Sequence, residues 1–142
     1  MTAYATETEF IESFGLELTI ELTNLENPEA DTVDSTVMTR GLTRASSLID
    51  GYLSGRYALP LASTPELLKS LCLDIARYQL GHYGKEDDAR QRYEDALRQL
   101  QQIANGTLNL GLPAVDTPTT VSGSPQWSAP ARVFDSDSLK GF

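Results

Sequence analysis

The sequence predicts a mainly α fold: a small four-helix domain over residues 1–106 with an extended C-terminal arm over residues 107–142. Three observations predict it. Apolar residues recur three and four positions apart through most of the first 106 residues. Helix-starting and helix-stopping residues bracket those runs. Beyond Gly106 the composition turns to Pro, Ser, Thr and Gly, which cannot by themselves bury enough surface to offset their ordering entropy.

The first helix starts after Thr6, with Glu9 three residues on, the capping-box spacing that satisfies two otherwise orphan amides. Phe10, Ile11 and Phe14 follow at helical spacing, and Gly15 supplies a left-handed stop. Residues 16–23 alternate Leu16, Leu18, Ile20 and Leu22 with polar residues, which is locally the pattern of a half-buried strand. No comparable partner strand lies nearby, and a lone strand leaves its backbone unsatisfied, so a helix or irregular turn is expected there. Residues 24–32, NLENPEADT, are turn chemistry.

The second helix is expected from about Val33 to Leu53. Val37, Gly41, Ala45, Leu48 and Tyr52 form one row on it, and Met38, Leu42, Ala45, Ile49 and Leu53 the next, together a broad core-facing stripe. The stretch RYALPLAS follows, where Pro60 forbids helix and biases Leu59 away from it. Thr64-Pro65-Glu66 reads as an N-cap with proline at the first helical position. The third helix then runs to Tyr83, and Leu67, Leu68, Leu71, Cys72, Ile75, Ala76 and Leu80 wrap well over half of it, which predicts the central position. HYGK, residues 82–85, is a short connection.

The fourth helix spans roughly Glu86 to Ala104, with Ala89, Tyr93, Ala96, Leu97, Leu100, Ile103 and Ala104 on its buried stripe. Its other face offers Glu86 to Arg90, Asp88 to Arg92 and Glu94 to Arg98, acid first at i,i+4. Such exposed pairs contribute only about 0.3–0.5 kcal/mol each, so they mark a solvated face. Asn105-Gly106 stops the helix. In the arm, LNLGLP gives way to a stretch with Pro118, Pro125 and Pro130. Trp127, Val133, Phe134, Leu139 and Phe142 are its apolar anchors, and a neighbouring chain is the expected surface for them.

The 142 residues carry a formal net charge of −9, and all of the excess sits at one end. Residues 1–39 hold nine acids and no Lys or Arg; the remainder balances eleven acids against eleven bases. A segment of that kind repels phosphate backbones. A helix-turn-helix could hide among four helices, but no basic cluster accompanies it. No apolar run is long enough to span a bilayer, and the N-terminus lacks the basic and apolar regions of a secretion signal, so a soluble protein made in the cytoplasm is expected.

Chemistry has little to stand on. Cys72, the one cysteine, lies on an apolar stripe with no base near it and reads as a core residue; it excludes an intrachain disulfide. His82 is a polar helix-end residue without a second His or a placed Cys to make a metal site. Glu86-Asp87-Asp88 open a helix, where the macrodipole favours carboxylates. Phosphate-cradling glycine loops and nucleophile elbows are absent. Asp50 and Asp74 fall on or beside apolar stripes, where carboxylates demand partners; Arg56 and Arg77 are the candidates, as structural ion pairs. No catalytic residue, cofactor or metal is predicted.

The strings IDGYLSGRYALPL (49–61), LCLDIARYQL (71–80) and RYEDALRQLQQIANG (92–106), with YATETEFIESFG and RVFDSDSLKGF at the two ends, together resemble the small neck protein of Mu-like bacteriophages, the Gp36-type family. They keep that family's order and spacing; the 24–35 and 113–130 stretches depart from it. The resemblance implies a connector-type, non-enzymatic virion protein of the head–tail junction that stacks as a ring beneath the portal. Its implied partners are further copies of itself, the portal protein and a tail-side neck or tail terminator protein, with DNA passing through the lumen without specific binding and no membrane. The acidic segment would then line that lumen. The 54–62 loop and the arm are the expected subunit contacts, through Arg56, Tyr57, Leu59, Trp127, Val133, Phe134, Leu139 and Phe142. The alternative is a helical protein-binding adaptor with no place in the virion.

Overall fold

The computed structural model describes residues 3–81 and 86–115. Thr6 opens α1 (Glu7–Phe14) with both halves of the capping box: the Glu9 N–H donates to its hydroxyl at 3.3 Å and its own N–H donates to the Glu9 carboxylate at 2.9 Å. Gly15, at φ 90°, ends α1, and its carbonyl accepts from Thr19 to begin α2 (Leu16–Thr23). The strand-like alternation there is carried by a helix. Its buried face is Thr19 and Thr23, whose hydroxyls donate to the carbonyls four residues back at 2.7 and 2.8 Å, while Leu16 points to solvent. A threonine that returns its own hydrogen bond to the helix can be buried without an outside partner. Among the described residues five helices therefore stand where a four-helix domain is expected.

Asp34 caps α3 (Ser35–Leu53), accepting from the N–H groups of Thr36 and Val37 at 2.9 and 3.1 Å. Of the two rows expected to face inward, Met38, Leu42, Ala45, Ile49 and Leu53 are buried, and Val37, Leu48 and Tyr52 flank them half-buried. α4 (Glu66–Leu80) is capped by Pro65 itself, in extended conformation and with no side-chain hydrogen bond, so Pro65 stands one position earlier than expected and Thr64 does not cap. α5 (Asp87–Ala104) buries Ala89, Ala96, Leu100 and Ile103.

α4 is the central helix. It packs against α3 on one side and α5 on the other, and Leu68, Leu71, Cys72, Leu73, Ile75, Ala76 and Leu80 are all buried. α1 packs against α3 with Phe10 buried, and is tied to α4 by Lys69 to Glu9 at 2.8 Å and by Arg77 against the Phe14 ring at 5.0 Å. Tyr78 and Tyr93 stack between α4 and α5 with centroids 4.2 Å apart. The outer face of α5 keeps Asp88–Arg92 at 3.1 Å, but Arg90 turns to Asp87 and Arg98 to Asp95, three residues back rather than four. Among the described residues there is no sheet, only an isolated antiparallel bridge between Tyr57 and Ala114.

Gly41 lets α3 and α4 approach: a Cβ there would stand 2.8 and 2.9 Å from two carbons of Leu80. Gly41→Leu is expected to destabilise the fold by about 1–3 kcal/mol through overpacking, outweighing the roughly 1 kcal/mol gained by removing a helical glycine. Urea unfolding measures it; a variant as stable as the parent would show that the helices separate at no cost.

Candidate subunit interface

α3 ends in a turn that hands the chain to the 54–62 loop, with the Arg56 and Tyr57 N–H groups donating to the Leu53 carbonyl at 2.9 and 2.8 Å. Tyr57 then points inward and is 2% exposed. Its hydroxyl accepts from the Leu110 N–H at 3.4 Å, Arg56 accepts on its carbonyl from Val115 at 2.8 Å, and Tyr57 bridges Ala114. The loop thus receives the first residues of the arm. Those residues alternate: Leu108, Leu110 and Leu112 pack half-buried on the core while Thr107, Asn109 and Gly111 face solvent.

The corner where α5 becomes arm is built by one pair. Gly106 takes φ 81°, and a Cβ on it would lie 2.2 Å from Arg56 Nη1. The guanidinium sits where any other residue would place its side chain, beside the carbonyl-rich C-terminus of α5, where a cation is favoured. Arg56 is half-buried and its Nε has no hydrogen-bond partner among the described residues.

Of the predicted contact residues, Arg56 and Tyr57 are therefore engaged by the chain's own arm, and Leu59 is 36% exposed beside them. Val115 is exposed as well, so an apolar edge flanks the anchored corner. Trp127, Val133, Phe134, Leu139 and Phe142 lie outside the described residues, as does His82. The leucine alternation at 108, 110 and 112 was the signal in the sequence for an extended segment laid on the core.

The buried-side carboxylates take other partners than those expected. Asp50 accepts from the Tyr4 hydroxyl, and the Tyr4 N–H donates to Ser46 Oγ at 3.0 Å, so the segment before α1 is sewn to α3. Burial first, and then the Asp50 carboxylate, push the Tyr4 phenol up. Asp74 pairs with Arg92 at 3.7 Å, while Arg77 is taken by Glu86 at 2.7 Å and Asp88 at 3.4 Å. Spacing along one helix identified the needy carboxylates but could not say which neighbouring helix would answer. Burial pushes the Asp74 carboxyl up, with Arg92 and Arg77 opposing. Burial likewise raises the Cys72 thiol, which lies 3.5 Å from Ser46 Oγ in the core.

The acidic segment is largely on the surface: Glu12, Glu17, Glu21, Glu26, Glu29 and Asp31 are exposed. Glu9 is matched by Lys69, which holds its carboxyl down, and Asp34 is spent as a helix cap. Two hollows adjoin this segment and share Asn24, Leu25 and Asn27. One, of about 590 Å3, has Glu17 and Glu21 on its wall; the other, of about 480 Å3, has Arg40 and Arg44. The sequence reading passed over these two arginines, although they stand one turn apart among Thr and Ser on the outward face of α3. Among the described residues no group of three or more His, Cys, Asp or Glu could hold a metal ion, and no helix is long and apolar enough to cross a membrane.

The family model described as Bacteriophage Mu, Gp36 matches residues 4–129. The chain is 35% identical over all of its 142 residues to the Mu-like prophage FluMu protein gp36 of Haemophilus influenzae, of which it covers 99%. It is also 35% identical over 89 residues to Gene product J of Escherichia phage Mu, 63% of this chain and 61% of that relative.

Tyr57→Ala is expected to free the arm while leaving the helices formed: amide exchange at Leu110 and Val115 should accelerate strongly, and far-UV circular dichroism should hold. Unchanged protection at both amides would show that the arm is held without Tyr57. Asp74 supplies a pH test. Its carboxyl titrates above the roughly 3.9 of an unfolded aspartate, so the folded chain binds more protons in the window above about pH 4 and loses stability as pH rises through it. Asp74→Asn should therefore gain on the parent between pH 4 and 7 in urea unfolding; a gain in the opposite direction would contradict the burial effect.

Proposed function

This chain belongs to the Bacteriophage Mu Gp36 family, and from that premise we propose that it is a virion structural protein of the phage neck, forming a ring that joins the portal of the DNA-filled head to the tail-side proteins. Its role is mechanical, with no catalytic step. The observation that carries the reading is the end-to-end match at 35% identity, which includes the arm as well as the helical body. A free-standing helical adaptor has no evident need for such an arm.

The geometry supports the reading in two ways. A heterologous ring needs one surface that gives and another that receives, and beyond the helical body the sequence carries Trp127, Phe134, Leu139 and Phe142 as apolar residues that a neighbour could receive. The arm leaves the body at Val115 beside an exposed apolar edge, so the route toward a neighbour begins at Leu59 and Val115. The partners are further copies of this chain, the portal protein above and a tail-side neck or tail terminator protein below. The exposed carboxylates of residues 12–31 face the lumen, where like charge keeps the passing DNA from adhering.

Deleting residues 131–142 is expected to leave a folded, helical protein by circular dichroism, since the described core lies wholly before them. That protein should be missing from purified particles. Normal incorporation would remove the arm from the assembly mechanism, and absence of the parent chain from particles would favour the adaptor.

A further inference from the structure

Arg40 and Arg44 are exposed cations for which no ion pair forms among the described residues, although the acidic segment lies close by. They stand over the 480 Å3 groove between α2 and the α3–α4 pair. Leu22, Leu25 and Leu80 give it apolar walls. Gln79 also lines it, and Gln79 Oε1 is buried with no hydrogen-bond partner. Glu26 and Asp34 line it too, but Asp34 is spent capping α3. Two cations without an ion pair among the described residues, an apolar wall and an acceptor lacking a donor thus make a surface for a partly apolar segment that carries a pair of carboxylates. The segment's N–H would complete Gln79, whose orphan oxygen otherwise carries a desolvation cost.

We propose that this groove seats residues 131–142 of a neighbouring copy, Asp135 and Asp137 pairing with Arg40 and Arg44. The proposal rests on the ring reading above and says where the arm takes hold. Residues two apart in an extended chain are about 6.6 Å apart, and residues four apart on a helix rise about 6 Å, so the two carboxylates and the two guanidiniums match in pitch. In that register Leu139 falls on the same side as Asp135 and Asp137 and brings the apolar side chain that the walls require, while Arg132, Phe134 and Lys140 fall on the other. The fifteen residues between Val115 and Ala131 can span about 50 Å, which reaches an adjacent copy. A nucleic acid is the poorer occupant, because its continuous phosphate backbone would run on past the two arginines onto Glu17, Glu21 and Glu26, whereas the segment brings only two carboxylates.

Charge exchange in the full-length chain tests the pairing. R40E/R44E alone and D135R/D137R alone should each lower incorporation into particles by about tenfold or more, the scale of lost charge-assisted hydrogen bonds. Circular dichroism should not change, since both arginines are exposed. Co-expression of the two variants should restore incorporation, because each supplies what the other's groove needs. Restoration only when all four changes share one chain would mean that the arm folds onto its own groove, and would overturn the proposal. Normal incorporation of either variant, or no restoration in any combination, would overturn it too. A labelled peptide of residues 131–142 gives a reading independent of particles: its affinity for the full chain should fall about tenfold with R40E/R44E. Equal affinity for parent and variant would refute the site. Loss of peptide binding with no chain in particles would leave the site standing and refute the neck instead.

Discussion

Everything in this molecule is arranged around a helix that has almost no face left for water. α4 buries seven of its fifteen residues, against α3 on one side and α5 on the other. A helix so used can offer a partner little beyond its C-terminal Gln79 and Leu80, and its neighbours must present their outer faces instead. The charged and polar outer stripes of α3 and α5 follow from that burial, as do the short α1 and α2, which close the open side. The hydrophobic gain from α4 supplies the stability that a short chain needs to hold an acidic surface against its own repulsion.

Much of this was legible in the sequence because it depends on local signals. Thr6 with Glu9, the double apolar row of α3, and the wrap of Leu68 to Leu80 are each written within one or two helical turns. LELTIELT is ambiguous to any periodicity argument; the expectation of helix or turn there holds as helix, with Thr19 and Thr23 returning hydroxyl bonds to the carbonyls four residues back and Thr23 also accepting from the Asp34 N–H. Partners at longer range are what the sequence does not reveal. Asp50 was seen to need a partner, yet Tyr4, forty-six residues away, could not be picked from spacing. Asp74 found Arg92 on α5 instead of a neighbour on its own helix.

The candidate interface divides in the same manner. Arg56 and Tyr57 stood out in the sequence as contact residues, and they do make contacts, but the described ones are with the root of the chain's own arm. Spacing within IDGYLSGRYALPL does not reveal that the segment after Gly106 in the same chain comes back to meet it. Arg40 and Arg44 escaped notice for the opposite reason. Lone charges on a solvated stripe are ordinary, and only the neighbouring groove with its unsatisfied Gln79 oxygen sets them apart.

The corner at Gly106 has a mechanical consequence. With a guanidinium filling the volume of the missing side chain and Val115 tied back to the Arg56 carbonyl, the course of the chain as far as Val115 is set by the body. Heading and length are thus separable: insertions after residue 115 would lengthen the chain beyond that point without disturbing a described helix, so on the ring reading proposed above a different girth would need no change in the helical block.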